Sequence, residues 1–215
     1  MSIQNFYEHA PKNADPEQVV ILLHGVGSNG QDLISLAPMW AQALPKAIFI
    51  SPDAPFPCDM VPPGYPNSYQ WFSLLDRDPH KMLDGVKTVF PFVEEFIETQ
   101  RERFSVPYNK VALVGFSQGT MTSLYVAPRL KGKIAGVLGY SGALLQDEGI
   151  KHKPPVHLIH GEADDVVPVQ AWEHARRTLA QEGFTVTGYT TPGLMHSIDM
   201  DGIQSGSIFL QKSFT

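Results

Sequence analysis

The sequence predicts a single-domain α/β protein built on a doubly wound, mainly parallel sheet. Three observations carry this. Short apolar, β-branched runs recur along the chain and alternate with stretches of helical periodicity. The clearest helical stretch, Leu83 to Phe104, sets Val86, Val89, Phe90, Val93, Phe96 and Ile97 on one stripe. Finally, Gly115-Phe116-Ser117-Gln118-Gly119 stands where one apolar run gives way to a helical one.

In chain order, the first predicted strand is Val19–His24, followed by Gly25-Val26-Gly27-Ser28-Asn29-Gly30. Three glycines in six residues let backbone N–H groups turn toward one point. The second strand is Ala47–Ser51. Pro52 to Leu75 then holds five further prolines and several aromatics, so it is expected to be neither regular helix nor sheet. A loop of this length in a compact domain is usually functional, and it is expected to lie over the site as a pocket wall. The helix Leu83–Phe104 contains Pro91, which predicts a kink or a later start. The strand Lys110–Val114 leads into the serine turn, and Thr120–Lys131 reads as the following helix. Ile134–Tyr140, Val156–His160 and Thr185–Thr190 are further strands. One helix is expected to begin near Val169 and another just after His196.

At 215 residues the chain suits one domain, residues 1–215, with no internal repeat, no linker and no room for a separate cap domain. Hydrophobic residues make up 43% and charged residues 18%, the balance of an ordinary globular protein. A net charge of −6 disfavours nucleic acid or an anionic membrane as a partner. The single cysteine, Cys58, excludes an intrachain disulfide and a zinc–thiolate cluster. Met1 to Gln18 lacks the basic and apolar regions of a secretory signal, and no run of about 18 apolar residues exists. A cytoplasmic protein without stable membrane insertion is the expectation, with monomer and homodimer both left open.

The serine motif is the sharpest chemical signal. A serine on a tight strand-to-helix turn stands out of the sheet, and Gly115 and Gly119 are expected to be steric requirements of that turn. A hydroxyl needs a general base to attack at neutral pH, and the base needs an orienting carboxylate. Both should follow the serine, acid before histidine. Glu162, Asp164 and Asp165 follow the strand Val156–His160, and His196 follows Thr185–Thr190. His24 and His160 also end strands; each precedes a glycine and is expected to support a loop. A metal reading of these two lacks acidic ligands on a shared face. For an oxyanion hole, the backbone N–H groups of Gln118 and Val26 are the candidate donors.

The chain resembles the phospholipase/carboxylesterase family of small α/β-hydrolases, which includes bacterial carboxylesterases and acyl-protein thioesterases. Four blocks carry the resemblance: Leu23-His24-Gly25-Val26-Gly27-Ser28, the serine pentapeptide, His160-Gly161-Glu162-Ala163-Asp164 through Val167-Pro168, and Gly193-Leu194-Met195-His196-Ser197. Gln70-Trp71-Phe72 is a weaker fifth. Thr120 replaces a glycine frequent in the family, and Asp165 a proline frequent in the thioesterases. The resemblance implies an α/β-hydrolase fold with Ser117 as nucleophile, Asp164 as acid and His196 as base. It implies hydrolysis of small-molecule esters or thioesters without cofactor or metal. Trp71, Phe72 and Met195 are the expected pocket residues.

Overall fold

The computed structural model of the chain describes residues 3–12 and 14–215. Its elements are β1 (Phe6–His9), β2 (Gln18–Leu23), α1 (Gly30–Ile34), α2 (Ala37–Ala41), β3 (Ala47–Pro52), β4 (Phe56–Pro57), β5 (Tyr69–Gln70), α3 (Pro79–Arg103), β6 (Val111–Phe116), α4 (Gln118–Val126), β7 (Gly136–Tyr140), β8 (Val156–Gly161), α5 (Gln170–Gln181), β9 (Val186–Thr191) and α6 (Met200–Ser213). Seven strands form one sheet in the order β1-β3-β2-β6-β7-β8-β9. Only β1 runs antiparallel, pairing Phe6 with Pro52 and His9 with Phe49 on β3.

Side-chain alternation along β2 shows how the sheet is covered. Val19, Ile21 and Leu23 point into one apolar layer with residues of α3, α4 and α5. Val20 and Leu22 point into another, with Leu33 of α1, Trp40 of α2 and Leu210 of α6. A central parallel strand buried on both faces has no polar side to show, which is why these runs read as continuously apolar. The doubly wound expectation holds.

Some local expectations need correction. Helix α3 starts earlier than expected because Asp78 caps it, accepting from His80 N at 2.9 Å, with Pro79 in the first turn. It also runs on through Pro91. Pro91 and Lys87 are both exposed, so the Lys87 carbonyl that loses its partner faces water. The proline-rich segment does contain sheet: Phe56 and Pro57 pair antiparallel with Gln70 and Tyr69. Strand β1 was not foreseen; four half-exposed residues at an edge give little hydrophobic pattern. No helix among the described residues is long and apolar enough to cross a membrane.

Candidate active site

Ser117 sits between β6 and α4 with φ 54° and ψ −116°, a backbone conformation costly for a non-glycine residue, on the order of 1–3 kcal/mol. Its N–H donates to Tyr140 O at 2.9 Å, and its carbonyl accepts from Thr120 N at 3.0 Å. The turn leaves no room beside it. A Cβ at Gly119 would lie 1.8 Å from Leu23 O, and one at Gly115 would lie 2.4 Å from Thr120 N. Both glycines are therefore steric requirements, as expected. Thr120, the departure from the family pattern, is accommodated in return. Its hydroxyl donates to Tyr140 O at 2.8 Å and accepts from Tyr140 N at 3.0 Å. Gly139 and Gly142 supply the space, since a Cβ on either would come within 2.6 Å of the Thr120 side chain.

Asp164 lies in the loop after β8 and is buried. Its Oδ1 accepts from Val166 N at 3.0 Å and Val167 N at 2.8 Å. Its Oδ2 accepts from His196 Nδ1 at 2.8 Å and lies 3.3 Å from His160 Nε2. Burial alone would raise this carboxyl. The hydrogen bonds from His196 and the Val167 and Val166 amides outweigh it and hold Asp164 below the usual carboxylate value. It is thus charged at neutral pH. The neighbouring Asp165 is exposed. Of the three acidic candidates, only Asp164 meets His196.

His196 follows β9, its ring packed 4.9 Å from that of Phe116. With Nδ1–H committed to Asp164, Nε2 is left as the basic nitrogen. Ser117 and His196 line the same cleft, though no hydrogen bond joins them in the structure. That bond often tightens only with substrate present. Val26 lines this cleft and Gln118 directly follows Ser117; among the described residues, the N–H groups of both have no hydrogen-bond partner.

His24 and His160 support loops, as expected. His24 Nδ1 donates to Gly25 O at 2.7 Å, and its Nε2 accepts from Ala54 N at 3.0 Å. His160 Nε2 donates to Val167 O at 2.7 Å. Burial lowers both rings, so both are neutral near pH 7. Among the described residues no group of three or more His, Cys, Asp or Glu is placed to hold a metal ion.

The pocket-wall expectation does not match the cleft, which measures about 440 Å³. Its apolar walls are Leu33, Leu36, Phe116, Val166 and Ile198, with Ser28, Asp32, Ser35 and Ser197 as polar neighbours. Trp71 is fully buried and Phe72 nearly so, while Met195 points to solvent at 57% exposure. None of the three is on the wall. Trp71 and Phe72 are fasteners instead. Trp71 Nε1 donates to His24 O at 2.9 Å; Trp71 N donates to Gln118 Oε1 at 2.9 Å; Gln118 Nε2 donates to Phe72 O at 2.6 Å. Just upstream, Gly27 N donates to Tyr69 O at 2.8 Å, Tyr69 N to Ser28 O at 2.9 Å, and Ser68 Oγ to Gly27 O at 2.9 Å. Residues 68–72 are therefore a strap tied to both oxyanion-donor segments. Aromatics amid prolines signal a fixed loop, but not which side of it faces substrate. The α1–α2 walls went unassigned because their short helices carry only a few apolar residues each.

The comparisons with known proteins agree with this geometry. A family model described as Phospholipase/Carboxylesterase matches residues 7–214. The chain belongs to the phospholipase/carboxylesterase family. Among curated relatives, it is 28% identical to Acyl-protein thioesterase 1 of Gibberella zeae, over 94% of this chain and 93% of that one. It is also 28% identical to Esterase YpfH of Escherichia coli K12, over 87% of this chain and 79% of the relative. Among solved structures, esterase PE8 superposes with a TM-score of 0.89 at 35% identity, covering 96% of this chain and 97% of that one. The fold is the α/β-hydrolase fold, and the protein is a serine hydrolase of the esterase/thioesterase superfamily.

Proposed function

We propose that this family member is a carboxylesterase acting on short- to medium-chain esters through an acyl-enzyme. Ser117 Oγ attacks the ester carbonyl while His196 Nε2 takes its proton. Charge builds on the carbonyl oxygen, where the unpartnered N–H groups of Val26 and Gln118 receive it. His196 then protonates the leaving alcohol. Water enters, His196 removes its proton, and the second tetrahedral intermediate collapses to release the acid and free Ser117. Asp164 holds the imidazole with Nδ1–H inward and stabilises its cation. The observation that carries the reading is the hydrogen bond from His196 to buried Asp164, with His196 lining the same cleft as Ser117.

The cleft's size supports a modest chain length. A hollow of about 440 Å³ is at the small end for ligand sites. Each methylene that finds the walls of Leu33, Leu36 and Ile198 adds about 0.8 kcal/mol until the space ends. A thioester substrate is the second reading, favoured by the several relatives named acyl-protein thioesterase. The chemistry is the same, with a thiol as leaving group.

The test is a series of p-nitrophenyl esters and matched acyl thioesters of rising chain length. Turnover should increase from acetate, peak at modest length and decline. Ser117→Ala should lose on the order of a thousand-fold or more in kcat while its circular dichroism is unchanged. A variant keeping a tenth of wild-type kcat would remove Ser117 from the nucleophile's role.

A further inference from the structure

We propose that Asp32 sorts substrates by charge, favouring neutral and cationic groups at one end of the ester over anionic ones. This deepens the hydrolase reading above and rests on it. Asp32 lies six positions after Val26 and lines the cleft that holds Ser117 and His196. It is the sole carboxylate in that lining, which contains no lysine or arginine. Any charged substrate group entering the cleft meets this side chain without a compensating cation on the wall.

The carboxylate is held in place. Its Oδ2 accepts from Ser28 Oγ at 2.9 Å and from Asn29 Nδ2 at 3.0 Å. Asp32 is exposed, and its Oδ1, without a protein partner among the described residues, is open to water or to a donor on the substrate. Asp32 also sits in the first turn of α1, where a negative charge suits the helix N-terminus. Asn29 caps α1 by accepting from Asp32 N at 2.9 Å, and that needs only the Asp32 backbone. Behind this wall, Asp53 accepts from Gly30 N at 2.8 Å and adds a second negative charge. Arg77 is an exposed cation whose Nη1 is 3.4 Å from the carbonyl of Val166, a residue of the cleft wall, and it is tested separately. Ser28, two residues after Val26, ties Asp32 to the loop of the proposed oxyanion donor, on the wall of the same cleft.

The chemistry selects against an anionic lysophospholipid or a monoester of a dicarboxylic acid. It selects for an ester bearing an ammonium, or a neutral one with a hydroxyl or amide donor. The experiment uses two matched sets: butyrates of choline and of its neutral 3,3-dimethylbutyl isostere, and p-nitrophenyl esters of 4-(trimethylammonio)butyrate, 5,5-dimethylhexanoate and glutarate. The first places charge on the alcohol, the second on the acyl chain. At low salt, kcat/KM should favour cation over its neutral or anionic counterpart by roughly five- to tenfold in one of the sets, and 0.5 M salt should compress that ratio toward one. Asp32→Asn, of nearly equal shape, should flatten the ratio, and Asp32→Lys should invert it. The ratio is taken within each variant, so a general loss of activity does not enter. Arg77→Gln should widen the preference. Ratios near one in the wild type at low salt, or a preference that survives Asp32→Asn, would overturn the proposal. If neutral esters turn over and Ser117 takes up a fluorophosphonate, such a result removes only the role of Asp32. If neither occurs, the hydrolase reading falls with it.

Discussion

The two halves of the site are built differently. The half that carries the proposed oxyanion donors comprises the loop after β2, the turn at Ser117 and the strap 68–72. His24, Trp71 and Gln118 there have no exposed surface, and six of the hydrogen bonds described above cross between the strap and its neighbours. The acid–base half hangs on the loops after β8 and β9. Met195 and Val166 beside it are exposed at 57% and 40%, and among the described residues the His196 side chain hydrogen-bonds to Asp164 alone. The proposed donors are thus fixed many times over, whereas the proposed base is held by one side-chain hydrogen bond and by its packing on Phe116. Redundancy should make single changes in the first half mild and single changes in the second severe.

The sharpest way to break this contrast is at Asp164. Asp164→Asn leaves His196 without a charged partner and allows the ring to present the wrong nitrogen, so kcat should drop on the order of a thousand-fold or more. Asp165→Asn alters one exposed charge and should cost less than about threefold. Steady-state kinetics on one activated ester decides it. Similar losses in both variants would sink the single-attachment view of His196.

The strap gives the intermediate effect. Trp71→Phe keeps the buried ring and removes the bond to His24 O. Gln118→Met keeps the length and removes the bonds to Trp71 N and Phe72 O. One net hydrogen bond is worth about 0.5–1.5 kcal/mol, so Trp71→Phe, which removes one, should lower kcat about three- to tenfold, and Gln118→Met, which removes two, should lower it further, each with KM within about twofold. If the two share one job, the double variant will depart from the product of the single effects. Active sites must be counted by fluorophosphonate titration, because partial unfolding lowers the count whereas a displaced donor lowers turnover per site. A loss seen wholly in the count would make the strap a stability element without bearing on the donors.

The same contrast explains what was legible in the sequence. Strands β2, β3, β6, β7 and β8 announced themselves because burial on both faces leaves mostly apolar residues, with Ser51, His157 and His160 the buried polar exceptions. The turn at Ser117 was legible because its geometry admits only glycine at 115 and 119. Asp164 and His196 could be placed after their strands by chain order, and choosing Asp164 over its acidic neighbours required the family resemblance. The role of Trp71 was not legible. Its indole N–H and main-chain N–H have partners 47 positions away in each direction, at His24 and Gln118, and nothing local marks a side chain as bonding inward. The cleft walls were missed for a related reason: Leu33, Leu36 and Ile198 come from three short segments that meet only in the folded chain.

The smallest expected effect separates the buried histidines by what their partners tolerate. Burial lowers His24, His157 and His160. The unfolded chain takes up protons near pH 6.5, while the folded one resists, so stability should fall as pH drops below about 6.5. His24 is the stricter case, because its Nε2 accepts from the Ala54 amide, which has no means of becoming an acceptor. His157, by contrast, faces hydroxyls: Nδ1 lies 2.7 Å from Thr187 Oγ1 and Nε2 lies 2.9 Å from Ser205 Oγ. Hydroxyls can rotate to accept from an imidazolium, so burial against Phe209 is the opposing force there. His157 is also far from the proposed chemistry, on the surface where α6 covers β8 and β9. Replacing it with glutamine should therefore leave ester turnover alone and remove a small part of the acid sensitivity. Between pH 7.5 and 5.5 the melting temperature of His157→Gln should decline less than that of the wild type, by about 1–2 °C for a chain of this size. An equal decline in both would mean that His157 takes up its proton in the fold as readily as out of it, and would leave the acid sensitivity to His24 and His160 on the site's own loops.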